Sequence, residues 1–158
     1  DVDRAPGADA PEAGETAESE QLLREALTQQ EELLGPNHQN TALTRMGLAD
    51  LLISEGRNDE AVEQASAALE SFRQTLGDDH WFTLMGQSVY GSALGASGRQ
   101  PEGEQMLLLS YERLAAHDSA APVAVKQALS RLIGFYRASQ NSDKASEYLA
   151  LYQRDFGE

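Results

Sequence analysis

Three histidines and a scatter of carboxylates are the residues of this sequence with the most obvious chemistry. His38 follows Asn37, and His80 follows Asp78-Asp79, so imidazole and oxygen donors stand side by side in a set that suits a divalent metal. The two histidines are 42 residues apart. If that interval is one repeat of packed helices, which lie about 8–10 Å from axis to axis, the rings are more than about 9 Å apart, too far to share one ion. The spacing therefore predicts a recurring structural loop and no metal site. His117 is expected near a helix end, facing the helix dipole or solvent. Gly91-Ser92-Ala93-Leu94-Gly95 does not place serine at the centre of a nucleophile elbow, and no His and Asp follow it in a triad arrangement. With no cysteine in the chain, thiolate metal sites, iron–sulfur clusters, disulfides and cysteine nucleophiles are excluded. Phosphate-binding and dinucleotide-binding loops are missing as well. The sequence is read as non-catalytic, with no cofactor.

Behind these residues stands a chain of 158 residues with a net charge of −14, the length of one ordinary domain. Such a charge disfavours nucleic acid and anionic membrane as partners. No apolar run approaches the roughly 18 residues of a membrane span. The first residues have neither the basic start nor the apolar centre of a signal peptide. The charge is unevenly spread: residues 1–32 hold ten acids against Arg4 and Arg24, leaving −6 for the rest. Residues 1–16, rich in Ala, Gly, Pro and acids, bury too little to offset the entropy of ordering, and are expected to form a disordered acidic linker. The chain begins at Asp1 without Met, and is read as a fragment or processed product.

A 42-residue period organises the remainder. Leu34-Gly35-Pro36-Asn37-His38 recurs as Leu76-Gly77-Asp78-Asp79-His80. Thr41 recurs as Thr83, Gly56-Arg57 as Gly98-Arg99, and Leu23 as Ala65, Leu107 and Leu149. Apolar residues fall at helical spacing between these loops, and nothing alternates as a strand would. Seven helices are predicted, at about 17–34, 38–55, 59–76, 80–97, 101–117, 122–139 and 142–156. Asn37, Asp79 and Asn58 are expected to cap helix starts, Pro101 to take a first helical position, and Gly56 and Gly98 to adopt left-handed helix ends. The third copy departs from the pattern, with Gln140 at the glycine position and Asp118-Ser119-Ala120-Ala121-Pro122 at the Leu-Gly-x-x-His loop.

The pattern Leu-Gly-x-x-His-x-x-Thr, with Leu48-Ala49-x-x-Leu52, Gly56-Arg57-x-x-Glu60-Ala61 and Ala65-x-x-Ala68-Leu69, resembles tetratricopeptide repeats of the 42-residue, kinesin-light-chain-like type. The resemblance implies an all-α fold of antiparallel helix pairs stacked in a right-handed superhelix over residues 17–156. Residues 17–34 would be the lone second helix of a pair, 38–76 repeat 1, 80–117 repeat 2 and 122–156 a degenerate repeat 3. Leu108-Leu109-Ser110-Tyr111-Glu112, Ala128-Leu129-Ser130-Arg131-Leu132-Ile133 and Lys144-Ala145-Ser146-Glu147-Tyr148 resemble the C-terminal repeats of large bacterial serine/threonine protein kinases. That implies a regulatory or docking region of a larger bacterial protein.

In such stacks the first helix of each pair lines a concave groove. The family's ligand-facing positions fall on Leu43, Met46, Asp50, Ile53 and Ser54, then Met85, Ser88, Ser92, Gly95 and Ala96, then Gln127, Ser130, Gly134, Arg137 and Ala138, with Arg45 and Arg131 on the adjoining edge. The Lys and Asn of the family's carboxylate clamp are missing, which argues against chaperone tails as ligands. The paired Asn of the kinesin-light-chain type are replaced by Met46-Gly47, Ser88-Val89 and Ser130-Arg131. What these positions favour is a peptide or helix lying close to a floor of Ser88, Ser92 and Gly95. The competing reading is that Leu43, Ile53 and Met85 are core, and that the Gly and Ala positions serve helix contacts. Leu22, Leu23, Leu27 and Leu33 at one end, and Tyr148, Leu149, Leu151, Tyr152 and Phe156 at the other, suggest homodimerisation through the repeat ends as an alternative role. An enzyme is the third and weakest alternative. A cytoplasmic location is the default, and an extracytoplasmic one follows if the parent chain has an upstream membrane span.

Overall fold

A computed structural model describes residues 13–157 as seven helices joined by short loops: α1 (Ala13–Leu34), α2 (Gln39–Ser54), α3 (Asn58–Leu76), α4 (Trp81–Ala96), α5 (Gln100–Ala115), α6 (Pro122–Ala138) and α7 (Ser142–Phe156). Their ends fall within a few residues of the predicted ones. The exception is α1, which starts at Ala13, inside the stretch expected to be linker; the remainder of that stretch, residues 1–12, lies outside the described residues.

The recurring loop explains its own sequence. Gly35 and Gly77 take φ values of 90° and 84°, a region closed to most side chains, and so let the chain leave α1 and α3. The hydroxyl of Thr41 then donates to the Gly35 carbonyl at 2.9 Å, and that of Thr83 to the Gly77 carbonyl at 2.7 Å. Between them the histidine is the helix cap: His38 Nδ1 accepts from the Asn40 amide and His80 Nδ1 from the Phe82 amide, both at 3.1 Å. This corrects the expectation that Asn37 and Asp79 cap α2 and α4. The histidine ring reaches the amide two residues on, as a shorter capping side chain would. Asn58 is not a cap either. Its amide donates to the Ala96 carbonyl at 2.9 Å, tying the start of α3 to the end of α4.

The turns inside each pair follow a second rule. Gly56 and Gly98 sit at φ 76° and 96°, and the next amide closes the helix end, Arg57 onto Leu52 and Arg99 onto Leu94, each at 2.9 Å. In the third copy Gln140 is forced into the same left-handed conformation at φ 58°. Because side chains in that region are strained by about 1–2 kcal/mol, against the extra entropy glycine loses on folding, Gln140→Gly is expected to stabilise the chain by about 0.5–1 kcal/mol. A lowered urea midpoint for that variant would refute it.

Packing follows from small residues at the crossings. Ala49, Ala61, Ala65 and Ala68 are fully buried where α2 meets α3, with Leu48 and Leu52 beside them. In the next pair the equivalent contact is glycine on glycine: a Cβ placed on Gly103 would stand 2.6 Å from the Gly91 carbonyl oxygen and 2.7 Å from the Gly95 nitrogen. Beyond its pair, each of α2 and α4 also packs on the first helix of the next, so α2 touches α4 and α4 touches α6. The backbones of α1, α3, α5 and α7 do not meet one another. They are linked by side chains, such as Arg24 to Glu60 at 3.2 Å and Lys144 to Glu104 at 2.8 Å. Helices in contact on one side and splayed on the other make a curved stack with α2, α4 and α6 inside.

Ends and middle differ in cover. Leu27 is buried under α2, whereas Leu22 and Leu33 on α1 are exposed, Leu33 by 82%. At the other end Tyr152 is buried and Tyr148, Leu149, Leu151 and Phe156 pack around Leu129 and Ile133. Tyr136, on α6, donates its hydroxyl to Glu104 at 2.8 Å, and Lys144 bonds to the same oxygen from α7. Lys144 and Tyr136 hold the Glu104 carboxyl below its ordinary pKa, while burial, then the bond to Glu104, pushes the Tyr136 phenol up to about 12.

Candidate functional site

The inner face of α2, α4 and α6 is where the groove positions come together, and the structure sorts them. Asp50, Ser54, Ser92, Gln127, Ser130 and Gly134 retain surface. Leu43 and Ile53 are half-buried against the core. Met46, Met85 and Ser88 are buried, Ser88 completely, so they shape the floor from beneath and offer nothing to a ligand in this conformation. The reason is curvature: neighbouring inner helices approach closely enough to cover the residues that face one another. Gly95 serves a helix contact, since a Cβ there would lie 2.7 Å from the Phe135 ring on α6.

Two arginines leave the groove. Arg45 turns to the outer helices, where it forms an ion pair with Glu31 of α1 and donates to Gln64 of α3 at 3.1 Å. Arg137, at the end of α6, lines a cleft of about 370 Å³ with Gln140, Ser142, Ala145, Ser146 and Leu149, between α6 and α7. Arg131 stays. Its guanidinium donates from Nη2 to Asp50 Oδ2 at 2.8 Å and from Nε to Oδ1 at 3.4 Å, joining α6 to α2. The carboxylate and guanidinium at these groove positions are thus paired with each other.

The residues with catalytic potential are engaged elsewhere. His38 and His80 are caps, and the His80 ring stacks on Phe82 at 5.5 Å. His117 bonds the Asp79 carbonyl oxygen through Nε2 at 3.0 Å and accepts the Ser119 amide at Nδ1, so it joins two loops of adjacent repeats. Trp81 packs beside Phe82 with ring centres 4.1 Å apart, at the junction of α3 and α4. Among the described residues no group of three His, Asp or Glu side chains is placed to hold a metal ion.

Residues 12–74 match the family model of the tetratricopeptide repeat. Over that stretch, α1 to α3, the chain resembles the tetratricopeptide repeat family. Two solved structures of putative kinesin-light-chain TPR-like repeats from Podosopora anserina, one of them a single-substitution form, match this helical stack with TM-scores of 0.62 and 0.59, at 22% and 23% identity. Each alignment covers 90% of this chain and 67% of the other. At that identity the likeness shows the fold alone, an all-α helical repeat. No curated protein matches the chain. Among the described residues, no helix is long and apolar enough to cross a membrane.

Proposed function

We propose that the chain is a non-catalytic protein–protein interaction scaffold that holds a peptide or helix of a partner in its concave groove. Tetratricopeptide folds are typically interaction scaffolds. The observation that carries the reading is the composition of the open inner face. Ser92, Gln127, Ser130 and Gly134 are short or polar and keep surface, which lets another backbone approach closely. The use of His38 and His80 as caps supports a role without catalysis. The sequence resemblance to kinase-borne repeats supports a place in a larger bacterial regulator, cytoplasmic by default, and the reading frame upstream of Asp1 tests that placement.

Peptides selected from a displayed library on the intact chain are expected to bind the groove. Ser92→Arg fills its centre and is expected to weaken them at least about tenfold, or about 1.4 kcal/mol, with an unchanged melting temperature. Equal affinity for both proteins would refute the groove as the site.

A second role, self-association through the ends, draws support from exposed Leu22, Leu33 and Leu34 on α1 and from the cleft beside Arg137. Sedimentation velocity over a wide concentration range is expected to show a growing dimer population. A strict monomer at the highest concentration removes this reading.

A further inference from the structure

We propose that the Asp50–Arg131 ion pair is a strap that closes the concave groove and sets the curvature of the stack. The two residues are 81 positions apart, on helices whose backbones do not touch. The helix between them, α4, contacts both, so a bond from α6 to α2 on the inner side must pass over α4.

The pair is not part of the repeat. One period after Asp50 stands Ser92 and two periods after it Gly134; Arg131 is preceded by Val89 and Gly47. A charge that packing demanded in every pair would recur, and these two occur once each, joining the first copy to the third. The two ends are also unequally held. The Arg131 side chain is 12% exposed and that of Asp50 44%, so the cation is fixed and the anion sits at the rim, free to swing into solvent. Arg131 Nη1 is buried with no partner, and so is the hydroxyl of Ser88 on the helix beneath. Buried donors left unmatched disfavour the closed arrangement. Releasing Asp50 would let α2 and α6 part around α4, exposing Ser88 and Arg131 to whatever enters. That last consequence rests on the groove reading; the strap itself does not.

The test needs no ligand. Because the chain has no cysteine, spin labels can be placed at Ser54→Cys and Ala138→Cys, exposed and equivalent positions of the first and third copies. Double electron–electron resonance on the otherwise unaltered chain is expected to give one narrow distance distribution. Asp50→Asn and Arg131→Gln are each expected to move it to longer distance and broaden it. Arg131→Lys, which keeps the charge and loses the fork, is expected to fall between. The exchanged pair Asp50→Arg with Arg131→Asp is expected to bring back a narrow distribution. If the distributions of the single variants superimpose on the parent, the strap is overturned, while peptide capture by the groove would stand untouched.

Discussion

Phe72→Ala is expected to lower the free energy of unfolding by about 3–5 kcal/mol, the cost of deleting a fully buried large ring whose surroundings cannot collapse. Phe72 has no exposed surface, and it stacks on Phe82 at 5.8 Å. Its other wall is backbone: a Cβ added to Gly86 would come within 3.1 Å of the ring. A cavity here is bounded by α4 itself, and filling it would require the helix to move toward α3 and away from its contacts with α2 and α6. Against a total stability of about 5–15 kcal/mol for a chain of this kind, the loss is a large share. Phe72→Leu retains most of the volume and is expected to lose less. Urea unfolding followed by circular dichroism measures both, and an alanine penalty under about 1 kcal/mol would show that Phe72 is not a keystone of the α3–α4 junction.

Gly103→Leu is the second large effect, and it acts by intrusion where Phe72→Ala acts by removal. At the α4–α5 crossing the groups nearest Gly103 are the Gly91 carbonyl and the backbone of Gly95, none of which can rotate aside. The better helix propensity of leucine returns up to about 1 kcal/mol. Forcing two backbones apart is expected to exceed that gain, for a net loss of about 2–3 kcal/mol, the upper part of the overpacking range. The first pair places Ala49 and Ala61 at these positions, so a methyl between helices is compatible with the fold in general. What is specific to the second pair is that its helices have closed onto each other, and an unchanged unfolding midpoint for Gly103→Leu would contradict that closeness.

The fold is legible because its signals are repeated. A single Gly-x-x-His is weak, but the same loop 42 residues later, followed by the same Thr and the same Gly-Arg turn, fixes the number and phase of the helices. Where the structure departs from the sequence reading, the physics is local to one side chain or spread over the whole stack. His38 and His80 invite a ligand reading, and their capping role escapes notice because histidine is not among the usual capping residues, although its Nδ1 can reach the same amide. Position alone puts Arg45 at the groove edge, and the pull of Glu31 and Gln64 from the outer helices has no signature in a period of 42. Ser88, Met46 and Met85 occupy positions that face inward, yet their burial depends on how tightly neighbouring inner helices close, a property of the assembled curve. The same holds for Asp50 and Arg131: both charges are visible in the sequence, but their meeting requires three helix pairs to bend.

The contact pattern also dictates an order of assembly. By backbone, each helix touches only its neighbours or the next inner helix, and the side-chain links between outer helices reach only one repeat further, so chains of that kind reach the native state quickly by growth from any formed pair. The Asp50–Arg131 bond is the exception, joining residues 81 apart. It can form only after α2, α4 and α6 are stacked. The strap is thus a late step in folding and reports that α6 is in place.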